Sequence, residues 1–186
     1  MKKLLLIGTI LTGSAFATLA FCSGGGESEY SGSRYSSLDV APVKNQLYRN
    51  ECASCHFAYP AGLLPARSWQ KLMSGLEDHF GDNAELTPEA HAAILTYLVD
   101  NAADTSDYKR SRRIMNALSN DETPLRITDT SYIKRKHNEL TDREVRNNPE
   151  VGSLSNCVAC HTQAEKGSFN ENQIKIPGVP KSWGWD

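Results

Sequence analysis

Twice in this chain a pair of cysteines two residues apart is followed at once by histidine: Cys52-Ala53-Ser54-Cys55-His56 and Cys157-Val158-Ala159-Cys160-His161. No other feature limits the fold so strongly. Two thiols on one short turn can add to the two vinyl groups of a haem, and the residue that follows can then give its imidazole to the iron. With five histidines in 186 residues, one directly after a given Cys-x-x-Cys arises by chance about 3% of the time, and after both roughly once in a thousand. The competing uses of such thiols are two redox pairs or one zinc site built from all four. The doubled histidine favours two covalently attached haems. Cys52, Cys55, Cys157 and Cys160 would attach them, with His56 and His161 as proximal iron ligands.

A chain of this length makes one ordinary domain or two very small ones, and only 8% of its residues are aromatic. Small domains bury too little surface to be secure alone, so the apolar faces of two haems would supply what the side chains lack. The start reads as an export signal over residues 1–21: Lys2 and Lys3, an apolar run from Leu4 to Leu11, and Ala15-Phe16-Ala17 as a cleavage site. It is too short for a membrane span. Leu19-Ala20-Phe21-Cys22 resembles a lipoprotein box, in which Cys22 would carry lipid, and Cys22 is the one cysteine outside the haem motifs. Export suits c-type haem, which is attached outside the cytoplasm. The expected location is the periplasm, free or anchored through Cys22.

Residues 22–40 are Gly/Ser-rich and polar, a flexible tether. A first haem domain is expected over 41–105 and a second over 106–186, divided at the polar stretch Ala102 to Ser106. Within the first, Val43, Leu47 and Tyr48 share a face of a helix running into Cys52. Trp69, Leu72, Met73 and Leu76 follow the i, i+3, i+4, i+7 rule after Pro65, and His79 and Phe80 extend the stripe up to a break at Gly81-Asp82. Thr87 and Pro88 open a third helix through Ile94, Leu95 and Leu98 to about Asn101. Beyond the boundary the pattern weakens: a basic helix over Tyr108 to Leu118, another near Tyr132 to Leu140, and an irregular tail after Gln163. Residues 27–105 hold 5 basic and 11 acidic side chains and residues 106–146 hold 10 and 7, a dipole that can orient a redox partner. Nothing in it points to nucleic acid.

Function turns on the sixth ligand of each iron. A histidine or methionine there makes an electron carrier, and an open position makes an oxygen-binding protein or enzyme. For the first iron the candidates are His79, His91, Met73 and Met115. His79 lies where its stripe meets the Gly81-Asp82 break, and His91 forms an apolar set with Ile94, Leu95 and Leu98 but falls in the first turn of its helix. For the second iron, His137 is the only histidine left outside the first domain, in Lys134-Arg135-Lys136-His137-Asn138-Glu139. Its ordinary alternative is a solvated surface histidine.

The block from Cys52 to Trp69, together with Asp78-His79-Phe80-Gly81, Pro124-Leu125-Arg126-Ile127, Lys136-His137 and the second Cys-x-x-Cys-His, resembles the small soluble dihaem cytochromes c known as the DHC family. The likeness runs from about Leu47 to Pro177. It implies a mostly α-helical fold, with an N-terminal domain similar to class I cytochromes c and a C-terminal haem segment of little regular structure. It further implies two haem c groups with bis-histidine ligation, making His79 and His137 the distal ligands, and electron exchange with a membrane cytochrome b and a small periplasmic haem protein. The expectation is a low-potential periplasmic electron carrier and not an enzyme. A dihaem peroxidase with one open iron is the alternative, and a sensor or docking subunit with structural haems a third.

Overall fold

The computed structural model describes residues 38–180. The export signal, Cys22 and most of the tether lie outside the described residues. Those that are described belong to one compact unit, Arg34–Asp186, and among them there is no strand. The described residues form six α-helices and several turns of 3-10 helix. No described helix is long and apolar enough to cross a membrane.

Helix α1, Gln46–Cys52, starts where Asn45 accepts a hydrogen bond from Tyr48 N and ends on the first cysteine of the first motif. A 3-10 turn, Ala61–Leu63, leads to α2, Ala66–Met73. The apolar stripe after Pro65 continues past this helix, but the helix does not. Ser74 turns its hydroxyl back onto Lys71 O, Gly75 follows, and a single 3-10 turn, Leu76–Asp78, carries the chain to His79. Helix α3, Pro88–Asp100, opens as its sequence dictates: Thr87 Oγ1 accepts from Ala90 N, and Pro88 occupies the first position, where no amide donor is needed. Helices α4, Lys109–Met115, and α5, Ser131–Lys136, are both shorter than their patterns suggest, and α6, Cys157–Cys160, is one turn formed by the second motif itself.

Two apolar clusters organise these pieces. The first gathers Tyr48, Leu64, Trp69, Met73, Ile94 and Leu98 between α1, α2 and α3. The second joins Val40, Leu63, Ile114, Tyr132, Ala164 and Phe169. Leu63 and Leu64 are neighbours in sequence pointing into different clusters, so the 61–63 turn is the seam between them. Ala103 N donates to Leu64 O across it. The 167 corner closes over the N-terminal strap: Asp39 N and Val40 N both donate to Gly167 O.

Candidate haem sites

The first motif leaves α1 at Cys52, which is half-buried, and loops through exposed Cys55 to His56. Burial, with Glu51 second, pushes the Cys52 thiol up to about 11. It is therefore a protonated S–H, the form that adds across a vinyl group. His56 Nδ1 donates to Phe57 O at 2.8 Å, which leaves Nε2 as the nitrogen free to bind a metal. The Tyr59 ring packs 4.8 Å from that of His56. Its hydroxyl donates to Ser155 O at 2.6 Å, two residues before Cys157, while Tyr48 OH donates to Tyr59 O. Tyr59 is thus a strut running from the first histidine to the second attachment turn.

His79 faces His56, with ring centroids 6.2 Å apart and planes 29° from parallel. It stands at the head of a tight turn closed by His79 N donating to Asp82 O at 2.7 Å. The two inner residues are left-handed: Gly81 at φ 104°, where glycine is at ease, and Phe80 at φ 60°, which for a bulky residue costs roughly 1–2 kcal/mol. Burial first, then His56 and Arg126, lower the His79 pKa. The other candidates for this position point elsewhere. His91 Nε2 donates to Met73 O at 2.9 Å, capping the end of α2. Met73 is core, 5% exposed. Met115 ends α4 and lines an open polar cleft whose wall does not include His56.

At the second site His137 caps the C-terminus of α5, and its Nδ1 donates to Ile133 O at 2.9 Å. His161 follows α6 and is pinned by a bridge to Ile174, with Lys175 N donating to Cys160 O. The two rings lie 5.9 Å apart on a cavity of about 240 Å³ whose wall includes both cysteines, aliphatic side chains such as Leu63, Ile133, Val145 and Ile176, and charged ones such as Arg135 and Glu144. Burial, with the neighbouring His137 second, pushes the His161 imidazole down to about 4, keeping it in the neutral state a metal requires. Burial likewise lifts the Cys157 thiol to about 11. Behind His161 stands Phe169, at 5.2 Å, and behind that Arg110, bonded to Asp39, Tyr132 OH and Phe169 O.

Both histidine pairs have the spacing that an iron held between two imidazoles requires. An iron taking an imidazole nitrogen at ~2 Å on either side would hold the ring centroids about 6 Å apart, and the observed separations are 6.2 and 5.9 Å. His79 Nδ1 and His161 Nδ1 are buried with no protein partner, so no hydrogen bond at that nitrogen fixes either ring; the two stand 29° from the plane of His56 and 75° from that of His137 respectively. Among the described residues no three His, Cys, Asp or Glu side chains converge as a metal site, so the four thiols are not gathered as a zinc cluster would gather them. Three contributors escaped the sequence: Tyr59, Arg110 and Arg126. The only hint of them was that Tyr59 and Arg126 lie within the family-like blocks.

The family model for dihaem cytochrome c matches residues 48–169. Among solved structures, the chain is similar to a new dihaem cytochrome type c from Shewanella baltica OS155, with 43% identity and a TM-score of 0.63 over 77% of this chain and 99% of that one. A dihaem cytochrome c from Rhodobacter sphaeroides gives 46% identity and a TM-score of 0.63 over 70% of this chain and 100% of that one. A crystal structure of DHC purified from Rhodobacter sphaeroides gives 44% and 0.56 over 69% and 99%. No curated protein matches.

Proposed function

This chain belongs to the dihaem cytochrome c family, and from that premise we propose that it is a low-potential periplasmic electron carrier in which a second histidine closes each iron. The family's cofactors are two haem c groups, and electron transfer is the function it supports; the peroxidase alternative finds no support there. The observation that carries the proposal is the pairing of imidazoles, His56 with His79 and His137 with His161, at separations that accommodate an iron between them.

In this reading Cys52 and Cys55 attach the first haem and Cys157 and Cys160 the second, His56 and His161 are proximal ligands, and His79 and His137 are distal. Bound haem supplies an iron that changes charge by one electron. The chain's own residues do the rest. The carbonyls of Phe57 and Ile133 orient His56 and His137 and strengthen them as donors. Two imidazoles, with no methionine sulfur, favour the oxidised iron and a low potential. Burial of His161 keeps its nitrogen unprotonated. Residues 1–21 would direct export, Cys22 would carry any lipid anchor, and a membrane cytochrome b and a small periplasmic haem protein would be the electron donor and acceptor.

The test is a potentiometric and spin-state comparison of the holoprotein with His79→Ala, His137→Ala and His91→Ala. Each of the first two should turn one iron high-spin and fast to bind carbon monoxide, where the closed parent irons bind it slowly, and leave the other low-spin, and His91→Ala should change neither. If the first two variants stay fully low-spin, the ligand assignment is wrong. A high-spin fraction or a rapid peroxide reaction in the parent protein would replace the carrier with an enzyme.

A further inference from the structure

Two of the four paired histidines, His56 and His137, each donate to a backbone carbonyl, as a ligating histidine ordinarily does with its second nitrogen. His79 and His161 do not: the Nδ1 of each is buried without a partner, and each has a backbone bridge, His161 to Ile174 and His79 to Asp82. What sets His79 apart is the strain beside it. Its backbone belongs to the turn that contains Phe80, the single non-glycine residue at positive φ among those described. Such a conformation persists in a bulky residue only when its surroundings impose it.

What imposes it comes from the other half of the chain. The Phe80 ring lies 4.9 Å from that of His79, and the residue is 45% exposed. The guanidinium of Arg126 sits 3.8 Å from the ring centroid, a close cation–π contact. Arg126 is carried by the segment that enters the 3-10 turn Ile127–Asp129, and Ile127 packs against both apolar clusters, so the clamp is mounted on the seam between the two haem-bearing halves. We infer that Arg126 is a positioning residue for His79: by clamping Phe80 it keeps the left-handed turn closed, and the distal side of the first iron is the one the protein can open. His137, anchored through Ile133 O at the end of α5, lacks such a release. The inference rests on His79 being the first distal ligand.

The experiment uses the full holoprotein, reduced, with carbon monoxide as the probe and association followed optically at each haem. Arg126→Gln should speed carbon monoxide binding at one haem about two- to fivefold, the range a surface cation–π contact supports. Phe80→Leu, which keeps an apolar side chain at the strained position but removes the π face, should do the same, and the double variant should add little to either. Arg126→Lys should recover part of the parental rate. A His137→Ala background identifies the responding haem as the first. The clamp is overturned if both single variants bind carbon monoxide at the parental rate, if Arg126→Gln acts and Phe80→Leu does not, or if the second haem responds. A first iron already high-spin in the parent would sink the ligand assignment and the clamp together, which separates that failure from the others.

Discussion

Tyr59→Phe deletes one oxygen atom from the strut between the two attachment turns and leaves the ring against His56 in place. The lost bond is a 2.6 Å contact from the phenol to Ser155 O, spanning 96 residues of sequence. Ser155 O also accepts from Cys157 N at 2.9 Å, so the carbonyl keeps a donor and the larger penalty of an orphaned acceptor does not apply. The cost should be that of one neutral hydrogen bond, about 1 kcal/mol, or ~2–4 °C in the melting temperature of a unit this size. Burial, followed by the negative sulfur of Cys157, raises the phenol from the usual 10 to about 12. Because the folded pKa lies above the unfolded one, the neutral phenol is favoured by folding. Its contribution is full below about pH 10 and fades as pH rises through 12. With haem attached at Cys157 its sulfur would be an uncharged thioether, and the window would narrow from its upper end. Thermal unfolding of both proteins at pH 7, 9.5 and 11 should show a constant gap at the first two and a smaller one at the third. A null difference at pH 7, or a gap that widens with pH, would refute the strut.

Gly167→Ala should be severe, because φ is +80° there and an added Cβ would meet Val40 O at 2.4 Å; a loss of about 2–4 kcal/mol is expected in denaturant titrations. Arg110→Met removes a guanidinium that bonds Asp39, Tyr132 OH and Phe169 O with its side chain only 14% exposed. It should cost about 2–4 kcal/mol and broaden the low-spin signal of the second haem, since Phe169 backs His161. Asp39→Asn in the same protein should return part of that loss by removing the uncompensated carboxylate, and chemical denaturation of the pair measures it.

Much of the fold can be read from the chain because it is locally encoded. Thr87 and Pro88 state the start of α3 without help from tertiary structure, and Asn45 does the same for α1. The stripe after Pro65 is different. Its apolar residues do enter one core, yet Ser74 and Gly75 stop the helix at Met73, and periodicity does not report that a side-chain hydroxyl will compete for a backbone carbonyl. His79 does come to face His56, though by a turn that the helical pattern did not describe. Nor does anything local mark Phe80 as left-handed: Gly81-Asp82 announces a turn, while the bulky residue before it owes its conformation to Arg126, 46 positions away. Contacts of that range, like Tyr59 to Ser155, are set by packing alone.

Such long contacts bear on why one chain carries both sites. Each attachment turn is too short to build a core by itself: α1 has seven residues and α6 four. The first site borrows Arg126 from the second half, and the second site borrows Leu63 and Asp39 from the first. Two haems attached to separate small domains would each need an independent core, which domains of this size rarely supply. Here the exchange of side chains across the Leu63–Leu64 seam makes the geometry of each histidine pair depend on the folding of both halves. Loss of one haem should therefore loosen the other site as well. The route runs through the 61–63 turn and the Tyr59 strut, whose ring lies against His56 and whose hydroxyl reaches Ser155 O beside the second motif.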